Sequence, residues 1–169
     1  LSPLGLPPPS HVATLLARRP EAMARAVEST DELTPLLERA RVVALGPGMG
    51  QGEWGQALFQ RAMRCGKPKV LDADALNLLA MSPQALEDVI LTPHPGEAAR
   101  LLDCTTADVQ QDRFSAARAI AQRYACVVVL KGAGTVVAAP GEVARVLEAG
   151  NPGMAVGGMG DVLTGVIAA

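Results

Sequence analysis

The sequence predicts a layered α/β fold with a mostly parallel central sheet. Short apolar runs alternate along the chain with longer amphipathic stretches, the pattern of strand–helix–strand units. Nearly half of the 169 residues are hydrophobic (49%), yet only four are aromatic: Trp54, Phe59, Phe114 and Tyr124. The core must therefore be Val, Leu, Ile and Ala, as in strands covered by helices on both faces. The apolar runs also end repeatedly in Gly, Pro, Asp or His, as where an open sheet presents its carboxyl edge to a ligand.

Each element has a local reason. The first ten residues, LSPLGLPPPS, hold four of the 13 prolines and read as an extended leader over 1–11. A helix is expected over 12–18 behind Ser10 as cap, with Pro20 interrupting it, while 21–28 is ambiguous. Ser29 or Thr30 can cap a helix running to about Arg39. RVVALG is the first clear strand, followed by a helix over 53–65. KVLDA is a second strand, with a short helix over 75–80. VILT is a third, with a helix over 96–102. A longer helix is expected from about Asp108, because Phe114, Ala117, Ile120, Ala121 and Tyr124 recur at three- and four-residue steps. CVVVLK is the fourth and strongest strand. TVVAA and VARVL flank Pro140-Gly141-Glu142 and are expected to form a hairpin. A final helix is expected from Asp161. The whole reads as one compact unit spanning 12–169.

Composition narrows the function. Fifteen Lys and Arg against 17 Asp and Glu leave a net charge of −2, with no basic block for nucleic acid. Scarce aromatics disfavour base-stacking binders. No uncharged apolar run approaches the roughly 18–20 residues of a membrane span. The three cysteines, Cys65, Cys104 and Cys126, are too few and too far apart for a disulfide framework or a C-x-x-C site, and small core roles suit them. A reduced, cytoplasmic setting is expected.

The chemistry concentrates at four strand ends and one late segment. RVVALG runs into GPGMG (46–50), KVLDA into DALN, VILT into PHPGE, and CVVVLK into GAGT. The segment GNPGMAVGGMGDVLTG (150–165) places five glycines in 12 residues ahead of Asp161. Such a turn frees backbone amides to face an anion, and a helix start adds partial positive charge. Asp161 beside that cradle is placed to take a proton while phosphate is held, unless it is a plain helix cap. Neither a Walker A loop nor a Rossmann fingerprint is present.

Taken in order, GPGMG, LDADALN, TPHPGE, LKGAGT and GNPGMAVGGMGDVLTG closely resemble the ADP-dependent NAD(P)H-hydrate dehydratases, the C-terminal domain of bifunctional repair proteins, with a ribokinase-like αβα sandwich fold. The resemblance spans about Leu15 to Ala169. It implies a lyase that restores NADH and NADPH from their S hydrates at the expense of ADP, giving AMP and phosphate, with Mg²⁺ as cofactor. By resemblance Asp161 is the base and a substrate contact. Gly158 and Gly160 belong to the anion cradle, and Lys131, Gly132, Ala133, Gly134 and Thr135 contact the nucleotide. Gly50 and His94 line the hydrated-nicotinamide pocket, Asp74 and Asn77 shape its floor, and Glu97 stands near Mg²⁺, acting through water. A tetramer and a fused or separate epimerase are further implications.

Plainer roles stand beside these. His94 could be a hydrogen-bonded loop histidine, Glu97 a favourable first-turn charge, and Lys131 a charged strand end. Asp72 and Asp74 could form a carboxylate pair, or Asp74 could cap the next helix. Val156 stands where many relatives carry Ser or Thr. An early strand with a glycine-rich turn, and helices after GDVLTG, are missing from the pattern, so the expected domain is truncated at both ends, with uncovered edges. Alternative readings are a small-molecule kinase of the same superfamily and a non-catalytic nucleotide-binding fragment.

Overall fold

The computed structural model describes residues 4–6 and 9–169. The chain divides into two compact units, residues 1–41 with 52–67 and residues 42–51 with 68–169.

In the smaller unit, β1 (Leu4–Leu6) pairs in parallel with β2 (Ala24–Ala26) across the helix α1 (Pro9–Arg18). The leader expected over 1–11 is thus not extended throughout. Pro9 opens α1, because a helix's first N–H groups have no internal acceptor and proline forfeits nothing there. The ambiguous stretch 21–28 supplies β2. Residues 1–3 and 7–8 of the expected leader lie outside the described residues. Helices α2 (Thr30–Arg39) and α3 (Glu53–Met63) pack through Leu36, Leu37, Leu58, Phe59 and Ala62, all buried. Trp54 donates its indole N–H to the Val27 carbonyl at 2.9 Å, and Arg61 donates to Thr34 Oγ1 at 3.0 Å.

The larger unit is the sheet the sequence predicts. Strands β3 (Val43–Leu45), β4 (Lys69–Leu71), β5 (Val89–Leu91) and β6 (Val127–Leu130) run parallel in that order. Then β7 (Thr135–Ala138) and β8 (Arg145–Leu147) add an antiparallel edge, the expected hairpin. Helices α4 (Ala73–Met81) and α5 (Pro95–Leu102) follow β4 and β5. The single helix expected from Asp108 is two, α6 (Thr106–Gln111) and α7 (Arg113–Tyr124). Two caps break it. Thr105 and Asp108 form a reciprocal box at the start of α6, and the Asp112 carboxylate accepts the Ser115 N–H at 2.9 Å to start α7. The last helix, α8 (Met159–Ala168), begins two residues before Asp161 and packs on β3 and β4.

The core is aliphatic, with Leu71, Leu79, Leu91, Ile120, Val128 and Leu130 fully buried. Tyr124 is the one buried ring of the larger unit among its described residues, and its hydroxyl donates to the Leu101 carbonyl at 3.1 Å. Cys126 is a core residue whose thiol burial pushes up to about 12. Apolar side chains emerge on β8 (Val146, Leu147) and on one face of α8 (Val162, Val166).

Gly46, directly after β3, holds φ +128°, and a Cβ there would lie 1.7 Å from the Asp72 carbonyl oxygen. Only glycine lets β3 and β4 leave the sheet edge this close together. Gly46→Ala is expected to cost about 3 kcal/mol or more through that backbone clash, read as a lowered urea midpoint with unchanged slope.

Candidate active site

Four parallel strands end on one edge, and the residues that follow them meet there. Asp72, the residue after β4, is 1% exposed. Lys131, the residue after β6, donates its ammonium to Asp72 Oδ1 at 2.6 Å, and Thr164 of α8 donates its hydroxyl to Oδ2 at 2.9 Å. Burial alone would push the Asp72 carboxyl up. The hydrogen bond and charge of Lys131, with the Thr164 and Thr92 hydroxyls, outweigh it and hold Asp72 below the ordinary carboxylate range. One buried anion thus ties β4, β6 and α8 together. A Cβ on Gly160 would lie 3.2 Å from Lys131 Nζ, so the first turn of α8 sits directly against the pair.

The third strand end is held differently. His94 caps α5: its Nδ1 accepts the N–H groups of Gly96 (3.0 Å) and Glu97 (3.3 Å), while the Glu97 carboxylate accepts the His94 N–H at 2.8 Å. Nδ1 therefore bears no proton, and the imidazole still reaches solvent, with its side chain 52% exposed. Glu97 is buried, with Oε1 3.3 Å from His94 Nε2 and Oε2 3.8 Å from Lys131 Nζ. Both oxygens thus face protein donors, which does not fit a direct metal ligand. Among the described residues no group of three or more His, Cys, Asp or Glu side chains could hold a metal ion. The side chains here make no cage for Mg²⁺.

Asp74 neither caps α4 nor pairs with Asp72. Asp72 occupies the cap position, and Asp74, in the first turn, accepts the Gly50 N–H at 2.8 Å and the Gln51 side-chain amide at 3.0 Å. It shapes the GPGMG loop from below. Asn77, one turn further along α4, accepts from the Arg100 guanidinium at 3.3 Å.

The loop after β6 is clamped by a residue the sequence reading did not single out. Arg113, the first residue of α7, donates to the carbonyls of Ala133, Leu130 and Lys131. Gly132 has φ +147°, and a Cβ there would lie 2.7 Å from an Arg113 guanidinium nitrogen. The Leu130, Lys131 and Ala133 carbonyls are thus held by a planar fork of donors. Thr135 donates its hydroxyl to the Gly132 carbonyl at 3.2 Å. Lys131, expected as a nucleotide contact, spends one ammonium donor on Asp72 at 2.6 Å, and its side chain stays 20% exposed.

Asp161 does not cap α8; Gly158 does, at φ +87°. Asp161 is the third helical residue and exposed, and it makes no hydrogen bond or ion pair among the described residues. Its carboxylate stands by a helix start where the Met159 N–H donates to the Val156 carbonyl at 3.4 Å and the next amides of the first turn have no acceptor within the helix. Of the expected site residues, Lys131, Glu97, His94 and Gly160 converge around Asp72. Asp74 and Gly50 form a second contact set, to which Asn77 is linked through its helix. The sequence reading weighed Asp72 only as half of a carboxylate pair and did not consider Thr164. The spacing of Thr164, three residues beyond Asp161 in a helix, was the available signal.

Asp72→Asn is expected to cost about 3 kcal/mol or more at pH 7, because Lys131 loses its buried counter-charge. The wild-type carboxyl lies below its unfolded value of about 3.9. Its contribution is therefore complete above that pH and is lost as the pH falls through the lower folded value. Urea unfolding from pH 7 to pH 2 is expected to show the wild-type advantage over Asn shrinking only in that acid window.

The geometry can be set against known proteins. The profile of the NAD(P)H-hydrate dehydratase family matches residues 7–169. A bifunctional NAD(P)H-hydrate repair enzyme from Coxiella burnetii is 50% identical over 159 residues, 94% of this chain and 33% of the relative. A ribokinase-like superfamily protein from Enterococcus faecalis superposes with a TM-score of 0.85 at 30% identity, over 98% of this chain and 59% of that one. An ADP/ATP-dependent NAD(P)H-hydrate dehydratase from Bacillus subtilis, co-crystallised with ATP/Mg²⁺, gives a TM-score of 0.77 at 31% identity, over 94% of this chain and 57% of that one. The chain spans about a third of the bifunctional relative and less than two thirds of either structure. With a ribokinase-like α/β fold and a family profile matched over nearly its whole length, this chain belongs to the NAD(P)H-hydrate dehydratase family.

Proposed function

We propose that this chain carries a lyase site that restores NADH and NADPH from their S hydrates at the expense of ADP, releasing AMP and phosphate. One observation carries the reading. An exposed carboxylate without a partner among the described residues, Asp161, stands in the first turn of a helix that Asp72 locks onto the sheet edge through Thr164. A base and an anion cradle on one rigid turn are what phosphoryl transfer to a hydroxyl requires.

In this reading the ring hydroxyl loses its proton to Asp161 as its oxygen bonds to the terminal phosphorus of ADP, and AMP departs. The phosphorylated C–O bond then breaks with loss of a proton from the adjacent ring carbon, restoring the double bond and releasing phosphate. The leading amides of α8, around Gly158 and Gly160, hold the transferring group. Residues 131–135 hold the nucleotide by backbone, shaped from behind by Arg113. Gly50 and His94 border the hydrated ring, with Asp74 fixing the Gly50 loop. Magnesium would arrive on the nucleotide phosphates, since the described His, Cys, Asp and Glu side chains form no cage for it. The same reading makes the protein a cytoplasmic homotetramer served by an epimerase, fused or separate, that supplies the S hydrate. The Coxiella burnetii relative is named bifunctional.

The test is the return of reduced-nicotinamide absorbance from hydrated NADH with Mg²⁺ and ADP, with ATP in parallel. Recovery that requires ADP supports the reading, and none with either nucleotide sinks it for this chain. Asp161→Asn is expected to keep ADP affinity within about twofold and to lower turnover at least about 10²-fold, the lower range for losing a positioned base. An Asn variant at wild-type rate would remove Asp161 from that role.

A further inference from the structure

Helices α4 and α5 both run away from the strand-end edge, and each carries a site residue in its first turn, Asp74 on α4 and Glu97 on α5. Three residues further, about one turn or 5 Å along each helix, stand Asn77 and Arg100, which hydrogen-bond to each other at 3.3 Å. They line an open cleft of about 350 Å³ together with Gln51, Ala80 and Met81. Gln51 joins this cleft to the Gly50 loop, because its side-chain amide donates to Asp74 Oδ1 at 3.0 Å. The cleft thus continues outward from the place where the hydrated ring is read to sit.

We infer that this cleft receives the far half of the dinucleotide, its pyrophosphate and adenosine, with Arg100 as the phosphate contact. The inference rests on the function proposed above and adds to it a determinant of substrate size. Arg100 is exposed and spends one long hydrogen bond on Asn77. A guanidinium carries five donors in a planar fork that suits phosphate oxygens, so most of them remain for a ligand. The Gln51 and Asn77 amides add neutral polar partners. Met81, 70% exposed, offers a soft apolar surface against which a flat base can lie. A cleft of this volume falls within the usual range for small-molecule sites. An exposed methionine beside an arginine has no packing role in the α4–α5 pair, whose buried contacts are made by Leu76, Leu79, Ala98 and Leu101.

The experiment compares two ligands on the chain itself. Titration calorimetry with hydrated NADH and with hydrated, reduced nicotinamide mononucleotide, which lacks the far half, reads the contribution of the cleft directly. The wild type is expected to bind the dinucleotide hydrate at least about tenfold more tightly, the value of one charge-assisted hydrogen bond in a partly exposed cleft. Arg100→Ala is expected to lose that preference, with Arg100→Lys regaining part of it and thermal unfolding unchanged. Equal affinities in the wild type, a preference that survives Arg100→Ala, or no binding of either hydrate would overturn the inference. A preserved, Arg100-dependent preference in a chain that shows no ADP-dependent turnover would uphold the cleft and count against the catalytic reading alone.

Discussion

The site depends on the ion pair between Asp72 and Lys131. A carboxylate 1% exposed cannot remain charged without a partner, and here it has an ammonium at 2.6 Å and a hydroxyl at 2.9 Å. Each donor comes from a different element, Lys131 from the end of β6 and Thr164 from α8, while Asp72 itself ends β4. The pair therefore sets which helix residue faces the sheet edge. With Thr164 fixed beneath, Asp161 lies one turn nearer the start of α8 and on its exposed side. The same pair fixes the place of the Lys131 ammonium, which spends one of its three donors on Asp72. Its charge still acts on the site, but through a position it cannot leave.

The remaining strand-end loops are each held from behind by a side chain that spends its hydrogen bonds on backbone. Arg113 gathers three carbonyls around KGAGT, Asp74 takes the Gly50 amide, and His94 and Glu97 cap α5 reciprocally. Backbone amides held this way need no rearrangement when a charged group arrives, which is the physical content of a preorganised site. It also explains why glycine is frequent here. Where a side chain clamps one face of a loop, as Arg113 does at Gly132, a Cβ has no room on that face. Asp161 differs from these supporting residues in having no partner among the described residues.

Much of this was legible in the linear chain. Aliphatic runs of strand length alternating with amphipathic stretches indicated a mostly parallel sheet, and the Pro-Gly turn indicated the β7–β8 hairpin, while the strand order came only with the fold. These are local signals, set by side-chain periodicity and turn chemistry. The glycine-rich strand ends pointed to one shared edge for a related reason, since parallel strands must all finish on one side. Where local signals competed, they misled. The apolar periodicity from Asp108 onward suggested one helix, but the capping groups of Thr105 and Asp112 satisfy free amides better than a continuous turn would, and the helix is two. The prolines near the start suggested an extended leader, whereas Pro9 opens a helix.

What the sequence by itself determined is the kind of sheet, the edge where chemistry gathers, and the residue types available there. What only the tertiary structure decided is which charges meet. Asp72 and Lys131 are 59 positions apart, and Asp72 and Thr164 are 92 apart. No periodicity relates such positions, so their pairing follows from strand order and from the register in which α8 packs. Arg113 and the carbonyls of Leu130, Lys131 and Ala133 are brought together in the same way, by a helix packed against the strand that follows it. Local propensity acts over a few bonds along the chain. Electrostatic partnership acts over a few ångströms in space, and only the fold converts one into the other.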